Sequence, residues 1–351
     1  MNFFRKHLRW LQPFLAVGLG LALGLLVTAI AGESPSHVLG VLAKSAFGST
    51  YDFGMTLFYA TPLIFTGLAV SIAFHAGMFN IGAEGQLTFG ALAAAALGAL
   101  APGMPGWIAP IAATLVAFAA GAAWGFVPGW LRARRGSHEV INTIMLNFIA
   151  AGLSSYVTLY LLRNPESANP ETLPIGPGFT IDQFAFLGGA PVSAALPLAL
   201  MAALAVWFLL KKTVLGFEIR AVGQSEESAK TAGISVGRVR ILTLAIAGGL
   251  AGLVGVGEVL GNSHRFRMGF SPDYGFIGIA VALLGRGQPL GVLAAALLFG
   301  ALQKGTGDLD IETEHVTRDL SLILQALVIL TVSADGLWAR FREAKKGGAN
   351  A

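Results

Sequence analysis

Charge-free stretches divide this chain, and that pattern constrains its fold more than any other feature of the sequence. A spanning α-helix needs about 20 predominantly apolar residues, and a bilayer admits only helices or closed barrels. Seven long stretches contain no Asp, Glu, Lys or Arg, apart from Arg286 within the sixth: residues 13–32, 53–83, 85–131, 140–162, 183–210, 274–303 and 320–334. An eighth, residues 241–257, is nearly as long. The sequence therefore predicts an all-α polytopic membrane protein.

The composition supports the same fold class and excludes several kinds of site. Charged residues make up 12% of the chain, against about 25% in soluble domains. The 46 glycines allow helices to pack with their backbones close together, as helices in lipid do. The chain has no cysteine, so it has no disulfide and no cysteine-based metal site. The six histidines are scattered, and we predict neither a metal site nor a cofactor.

We predict about ten transmembrane or partial helices in a single permeation domain, residues 1–351, with a cytoplasmic loop at 211–240. The segment at residues 274–285 is too short to cross a bilayer alone if it is straight, so we expect a partial or re-entrant helix there. The predicted segments are residues 13–32, 54–74, 84–101, 107–131, 138–162, 191–210, 241–261, 274–285, 288–303 and 319–337.

The basic residues gather in every second gap between these segments. With the N-terminus inside, the inner loops hold 17 of the 23 Lys and Arg residues. The positive-inside rule then places both termini in the cytoplasm. The charges mark the sides of a membrane, so we predict no nucleic-acid partner. One outer loop is acidic and holds Asp308, Asp310, Glu312, Glu314 and Asp319.

The first segment also has features of a cleaved signal peptide. Basic residues precede it, and residues 29–31 (Ala-Ile-Ala) resemble a cleavage site. Its apolar run exceeds the usual 7–15-residue signal core, which favours an uncleaved helix. The largest outer loop, residues 163–190, is rich in Pro and Gly, and we expect a lid or an irregular cap there.

Residues 74–86 break the hydrophobic pattern between the second and third segments. They contain three glycines, Asn80, Glu84 and Gln86, but no Lys or Arg. Such a stretch favours a broken helix, whose ends present free N–H or C=O groups to a pathway. A carboxylate in the membrane is a candidate functional residue. The alternative is a tight cytoplasmic turn in which Glu84 and Gln86 cap the next helix.

Residues 137–147 place polar side chains at helical spacing where the fifth segment begins. Ser137 is a candidate N-cap, and Glu139 suits the first turn of a helix electrostatically. Asn142 and Asn147 continue the polar face into the membrane. Such a stripe usually faces water or the bundle interior. The alternative is interhelical hydrogen bonding that only holds helices together.

Residues 211–235 form the longest cytoplasmic loop, and they predict a short helix over 226–232. Ser225 precedes two acidic residues, as at a helix N-terminus, and Gly233 lies where a C-cap glycine belongs. The small Ala229 and Ala232 leave a helix face that can enter a groove on a partner. The alternative is an ordinary solvated loop helix.

Together these three segments resemble the membrane permease subunits of ABC importers. The nearest branch is the one for nucleosides and simple sugars, which is related to the ribose and branched-chain amino-acid permeases. The resemblance covers roughly residues 54–335. It is carried by residues 79–86 (FNIGAEGQ), 139–147 (EVINTIMLN), 220–223 (RAVG), Ala229 and 232–234 (AGI).

The resemblance implies a role for the loop and a set of partners. The loop helix would be the coupling helix that docks a cytoplasmic ABC ATPase. A second permease subunit, either a paralogue or a second copy, and an extracytoplasmic substrate-binding protein would complete the importer. The chain has no G-x-x-x-x-G-K-[ST] loop, so ATP must be bound by another polypeptide. The predicted coupling residues are Arg220, Gly223, Glu226, Glu227, Ala229, Ala232 and Gly233.

The polar residues of the first two segments are the predicted substrate path. Their amides can donate to and accept from a ribose hydroxyl or a base edge, and equally from a sugar such as a pentose. A nucleoside is therefore the expected substrate, with a simple sugar as the alternative. The path residues are Asn80, Glu84, Gln86, Asn142 and Asn147.

Two other classes of protein compete with this interpretation. In an ion-coupled secondary transporter, Glu84 and Glu258 would be the protonation sites. Such a transporter has no need of a surface that docks an ATPase, so the coupling loop argues against it. An intramembrane enzyme would need a catalytic grouping of residues, and the sequence contains none that we recognise. We therefore predict that the chain is not an enzyme.

Overall fold

The computed structural model describes residues 2–313 and 318–333, and this part of the chain is helical, with isolated β-bridges but no β-strand. The all-α class is thus confirmed. The helices are α1 Asn2–Ile30, α2 Pro35–Phe47, α3 Thr50–His75, α4 Ala83–Leu100, α5 Ala109–Arg135, α6 Glu139–Tyr156, α7 Ala195–Lys212, α8 Val214–Gln224, α9 Glu226–Thr231, α10 Val236–Gly252, α11 Tyr274–Leu284, α12 Pro289–Glu312 and α13 Arg318–Ser333.

All ten predicted segments fall on helices, the tenth as far as Ser333, beyond which its last residues lie outside the described ones. Among the described residues, seven helices are long and apolar enough to cross a membrane. Two shorter apolar helical stretches are Leu15–Ile30, which is part of α1, and Tyr274–Leu284, which is α11. The π-helical turns Val157–Leu161 and Val256–Ser263 extend α6 and α10 at their C-terminal ends. The number of crossings and the side on which the termini lie stay predictions, and the basic residues after 333 lie outside the described residues.

The structure corrects three local expectations. The sequence prediction missed α2, which buries Val38, Val41 and Leu42 in a helix of 13 residues. It also missed α8, which immediately precedes the predicted loop helix. The helix α12 contains Asp308, Asp310 and Glu312 in its last part, so these acidic residues do not lie in a loop. Lys304 pairs with Asp308 one turn further along this helix. Glu314 lies outside the described residues.

Two compact units make up the described chain, one before Thr50 and after Gly300, the other Thr50–Gly300. In the first unit α1 packs on α13, where the Thr331 hydroxyl donates to the Ala16 carbonyl at 2.8 Å. In the second unit α3 is buried along most of its length, from Ala60 to Ala73. The α5–α10 pair has the most extensive packing in that unit.

The loop 163–194, which contains the predicted outer loop, is irregular, as expected, and it is tied to the loop after α10. Two 3-10 turns, Pro177–Phe179 and Ala185–Leu187, interrupt it. The backbone N–H of Thr172 donates to the carbonyl of Phe266 at 2.9 Å. These loops therefore cover the same end of the second unit.

Candidate substrate path and coupling surface

The break between α3 and α4 is held by a pair of buried amides. Asn80 Nδ2 donates to Gln86 Oε1 at 2.9 Å, and Gln86 Nε2 donates back to Asn80 Oδ1 at 3.1 Å. The backbone N–H of Gly82 also donates to Asn80 Oδ1, at 3.1 Å. Both side chains are buried. Their polar groups thus stabilise the conformation of the break.

Asn147 of α6 bonds to the same break from outside. Its Oδ1 accepts from the backbone N–H of Gly85 at 2.9 Å, and its Nδ2 donates to the carbonyl of Ile81 at 2.9 Å. The first N–H groups of a helix have no partner within the helix. Asn147 provides one for α4, and so it joins α6 to the start of α4.

Glu84 caps a different helix. One carboxylate oxygen, Oε2, accepts from the backbone N–H of Gly275 at 2.7 Å, and the Ser271 side chain also bonds to this carboxylate. Gly275 lies in the first turn of α11. A carboxylate at a helix N-terminus satisfies a free N–H and complements the positive end of the helix dipole.

The opposite end of α11 lies beside the C-terminal end of α3. The Ser71 hydroxyl donates to the carbonyl of Gly287, just after α11, at 2.6 Å. A helix of the length of α11 rises about 16 Å. Glu84 therefore lies about 16 Å along the α11 axis from the end of α3. The chain between α3 and α4 therefore runs alongside α11, from one end of that helix towards the other.

An open cleft with a cavity volume of about 180 Å³ lies beside Glu84. It is formed by α4, α6 and the loop before α11, and it brings together two of the predicted path residues, Glu84 and Asn147. Asn80 and Gln86 lie outside its lining, in the buried pair. The lining residues are Glu84, Gly85, Thr88, Asn147, Ala151, Phe266, Gly269, Phe270 and Ser271.

The sequence missed the contribution of the loop after α10. Ser271 and Phe270 follow a polar stretch between two apolar segments, which was the available signal for them. Thr88 lies one turn after Glu84 on the same helix, so helical spacing from Glu84 could have found it.

The start of α6 differs from the sequence expectation. The N-cap residue is His138 and not Ser137, and its side chain makes no capping hydrogen bond. Ser137 instead accepts from Asn142 Nδ2 at 2.6 Å. The buried Glu139 lies 3.3 Å from Arg132 Nε at the end of α5. Asn142 therefore belongs to the α5–α6 junction and not to the cleft.

A second buried carboxylate lies near α11. Glu258, in the π-helical turn after α10, accepts from the Tyr274 hydroxyl at 3.2 Å. Tyr274 is the first residue of α11, so Glu84 and Glu258 contact the same helix end. Within the described residues, no group of three or more His, Asp or Glu side chains is arranged to hold a metal ion.

The predicted loop helix is present as α9, and its ends have the expected capping groups. Ser225 Oγ accepts from the backbone N–H of Ser228 at 3.3 Å. Gly233 has φ +81°, the left-handed conformation of a C-cap glycine, and its N–H donates to Lys230 at 2.9 Å. Glu226 pairs with Lys230 at 2.8 Å and with Arg240 at 2.7 Å. Hydrogen bonds from these two cations lower the pKa of Glu226.

The position of Ala229 corrects one expectation about this helix. Ala229 is only 2% exposed and packs within its own chain, so it does not form the face that would enter a partner's groove. Glu227, Ala232 and Gly233 are exposed instead. Ala229 seats α9 on the chain, which leaves those three residues on the open face.

The helix before α9 contacts the end of α3. A Cβ on Gly223 would overlap the carbonyl oxygen of His75 and lie 2.9 Å from the nitrogen of Gly77. Arg220, one turn earlier, donates from Nε to the carbonyl of Gly216 at 3.3 Å. Gly223 therefore allows α8 to lie directly on the backbone where α3 ends.

Comparison with known proteins matches residues 53–333 to the family described as the permease component of the branched-chain amino acid transport system. The guanosine ABC transporter permease protein NupP of Bacillus subtilis is 36% identical, over 97% of this chain and 98% of its own length. The glucose ABC transporter permease protein TsgB13 of Haloferax volcanii is also 36% identical, over 94% of this chain and 88% of its own. The nucleoside ABC transporter permease protein NupB of Lactococcus lactis is 33% identical, over 93% and 92%.

Proposed function

The chain belongs to the branched-chain amino acid transport system permease family, and we propose that the substrate it carries is a nucleoside. It is a multi-pass membrane permease subunit of an ABC importer and is not an enzyme. ATP hydrolysis, not an ion gradient, drives such a subunit, so Glu84 and Glu258 need no role as coupling protonation sites.

One observation carries the choice of substrate. Similarity to the guanosine permease NupP extends over nearly the whole of both chains, and a second nucleoside permease, NupB, is similar over more than nine-tenths of this chain. A simple sugar is the second candidate, because the glucose permease TsgB13 has the same identity over a slightly smaller share of both chains.

The importer that this subunit requires has three further parts. A cytoplasmic ABC ATPase docks on α9, where Glu227, Ala232 and Gly233 are exposed. A second permease subunit, a paralogue or a second copy, completes the pathway. An extracytoplasmic binding protein delivers the substrate to the end covered by the loops 163–194 and 264–273.

The contact between α8 and α3 supports the coupling role of this region. Gly223 of α8 packs on the backbone of His75, and Ser71, one turn earlier on α3, bonds to the end of α11. The other end of α11 is bonded to Glu84 beside the cleft. Displacement of α9 by the ATPase therefore has a contiguous route of packed backbone to the cleft.

Uptake by reconstituted importer tests the function and the substrate together. The chain would be assembled with its ATPase, second permease and binding protein in proteoliposomes, with ATP enclosed. We expect uptake of a labelled nucleoside that needs hydrolysable ATP, survives an uncoupler and is not reduced by excess glucose. Uptake that persists without ATP but collapses with the uncoupler would contradict the family assignment. Uptake of glucose alone would replace the nucleoside with the sugar.

Cysteine labelling tests the proposed orientation, because the chain has no native cysteine. Ser228→Cys places a thiol on the exposed surface of α9, and Glu166→Cys places one in the exposed outer loop. A membrane-impermeant thiol reagent should label Glu166→Cys in intact cells and label Ser228→Cys only after permeabilisation. The opposite result would invert the topology.

A further inference from the structure

The cleft beside Glu84 has the features of a ligand site. Its cavity volume of about 180 Å³ is smaller than that of a closed small-molecule pocket, about 300–1,000 Å³, and one side of the cleft is open. Polar side chains meet aromatic ones along its lining. We propose that this cleft binds the nucleoside during its passage, an inference that rests on the proposed function and adds a specific site to it.

The polar groups of the cleft make it a site for hydrogen-bond donors. An ionised carboxylate offers about four acceptor positions. Glu84 uses two of them, for the Gly275 N–H and for Ser271. The Thr88 hydroxyl donates its proton to the Glu84 backbone carbonyl at 2.7 Å, so towards the cleft it acts as an acceptor. Ligand O–H and N–H groups are the matching partners.

The remaining polar side chains hold the wall in place. Both polar groups of the Asn147 amide bond to backbone atoms of the α4 start. The Ser271 oxygen accepts from the backbone N–H of Tyr274 at 3.0 Å, while its side chain bonds to Glu84. Glu84 and Thr88 are therefore the side chains that contact the ligand, and Asn147 and Ser271 are positioning residues.

The aromatic side of the cleft suits a flat ring. Phe270 is half-buried and lines the cleft, and the buried Phe266 packs against it edge-on, with ring centroids 5.4 Å apart and planes at 66°. This contact fixes the Phe270 ring. Every nucleobase has a flat π-face, so an aromatic side chain can stack on any base. A carboxylate and a hydroxyl that face a fixed aromatic ring match a nucleoside, which has ribose hydroxyls, base N–H groups and a flat base.

Protection of an introduced cysteine tests occupancy without relying on transport. Ala151 lines the cleft and is exposed, so Ala151→Cys should react with a small water-soluble thiol reagent in the assembled importer. We expect millimolar nucleoside to slow this reaction severalfold, and glucose to leave it unchanged. Ala168→Cys, on the exposed outer loop, is the control and should react at the same rate with or without nucleoside.

A matched pair of threonine variants tests recognition. Thr88→Val removes the hydroxyl from the cleft. Thr114→Val removes a hydroxyl from a half-buried threonine of α5 that likewise donates to the carbonyl four residues earlier, at 2.7 Å. We expect Thr88→Val to raise the KM for nucleoside uptake about threefold to tenfold, which corresponds to about 0.65–1.4 kcal/mol and lies within the range of one hydrogen bond. Thr114→Val should leave both the KM and the ATPase activity stimulated by the binding protein unchanged.

Two results would overturn the cleft proposal while nucleoside uptake by the unmodified importer continues. One is an unchanged KM in Thr88→Val. The other is an Ala151→Cys that nucleoside does not protect, or that reacts only with a membrane-permeant reagent because lipid fills the cleft. Failure of the proposed function would look different, since the unmodified importer itself would then not take up nucleoside.

Discussion

Gly121 of α5 and Gly248 of α10 face each other so closely that neither position has room for a side chain. A Cβ on either residue would overlap the carbonyl oxygen of the other. A Cβ on Gly121 would also lie 3.0 Å from the Cα of Gly252, one turn along α10. The two helices thus pack backbone against backbone, as small residues permit in a membrane.

Adding one methyl group at this contact should destabilise the protein. Gly248→Ala forces α5 and α10 apart, and overpacking of this kind costs about 1–3 kcal/mol. A lower melting temperature in detergent would be the measurement. Gly152→Ala is the control, because among the described residues beyond its own helix no heavy atom lies within 4 Å of a Cβ built there. Since alanine is favoured over glycine in helices, that variant should be neutral or slightly stabilised. Equal melting temperatures for the two variants would contradict the close packing.

The ion pairs of Glu171 should make the stability of the loop 163–194 and of the loop after α10 depend on pH. This side chain is 4% exposed, and it accepts from Arg265 Nη1 at 2.7 Å and from Arg267 Nε at 3.2 Å. A hydrogen bond from Ser167 and the pairing with Arg265 hold the pKa of Glu171 below its ordinary value of 4.5. A carboxyl group with a lowered folded-state pKa stabilises the fold above its unfolded pKa, and this stabilisation is lost as the pH falls through the folded value.

Glu171→Gln tests this pH dependence. At neutral pH the variant should lose about 1.5–3 kcal/mol, the value of hydrogen bonds to a charged group. Its deficit in melting temperature should stay constant from pH 7 to about 5 and shrink below 4.5. Glu166→Gln, at an exposed position of the same loop, should show no such deficit. A deficit that does not change with pH would show that Glu171 acts by packing and not by charge.

The sequence predicts the helices of this protein better than it predicts their pairing. Apolar runs about 20 residues long identify membrane helices by a local property, which is why each predicted segment lies on a helix. The α2 helix was missed because it has only 13 residues and lies between two long segments. The position of α11 beside Glu84 was not predictable, because 191 residues separate Glu84 from Gly275 and no local pattern links them.

The candidate site shows the same division. Polarity within an apolar segment singled out Glu84 and Asn147, and the structure places both at the cleft. Polarity alone could not distinguish these two residues from Asn80, whose amide is paired with that of Gln86. A polar side chain within a membrane needs hydrogen-bond partners whether it lines a cleft or lies in a buried pair, so the sequence pattern is the same in both cases. Capping residues likewise identified α9 but not the side of it that faces the chain, so the buried Ala229 was assigned to the wrong face.

Two alanines of α9 should separate folding of the loop from docking of the ATPase. Ala229→Trp places bulk in a packed position, so it should lower the melting temperature of the isolated permease and also reduce ATPase binding. Ala232→Trp adds bulk to an exposed position, so it should leave the melting temperature unchanged while reducing co-purification with the ATPase and ATP-driven uptake. Ala168→Trp, in the exposed outer loop, is the control for surface bulk. Normal ATPase binding by Ala232→Trp would remove this face of α9 from the docking surface.

The two asparagines of α6 should differ in what they contribute. Replacing Asn147 by Leu leaves the Gly85 N–H and the Ile81 carbonyl without their side-chain partner, and an unsatisfied buried group costs about 1–3 kcal/mol. Asn142→Leu breaks a single bond, to the half-buried Ser137, so its loss should be smaller. Melting temperatures should therefore rank Asn147→Leu below Asn142→Leu, and nucleoside uptake by Asn147→Leu should fall mainly through the amount of folded importer. If Asn147→Leu is as stable as the unmodified chain and only its KM rises, Asn147 binds the nucleoside directly and is not a positioning residue.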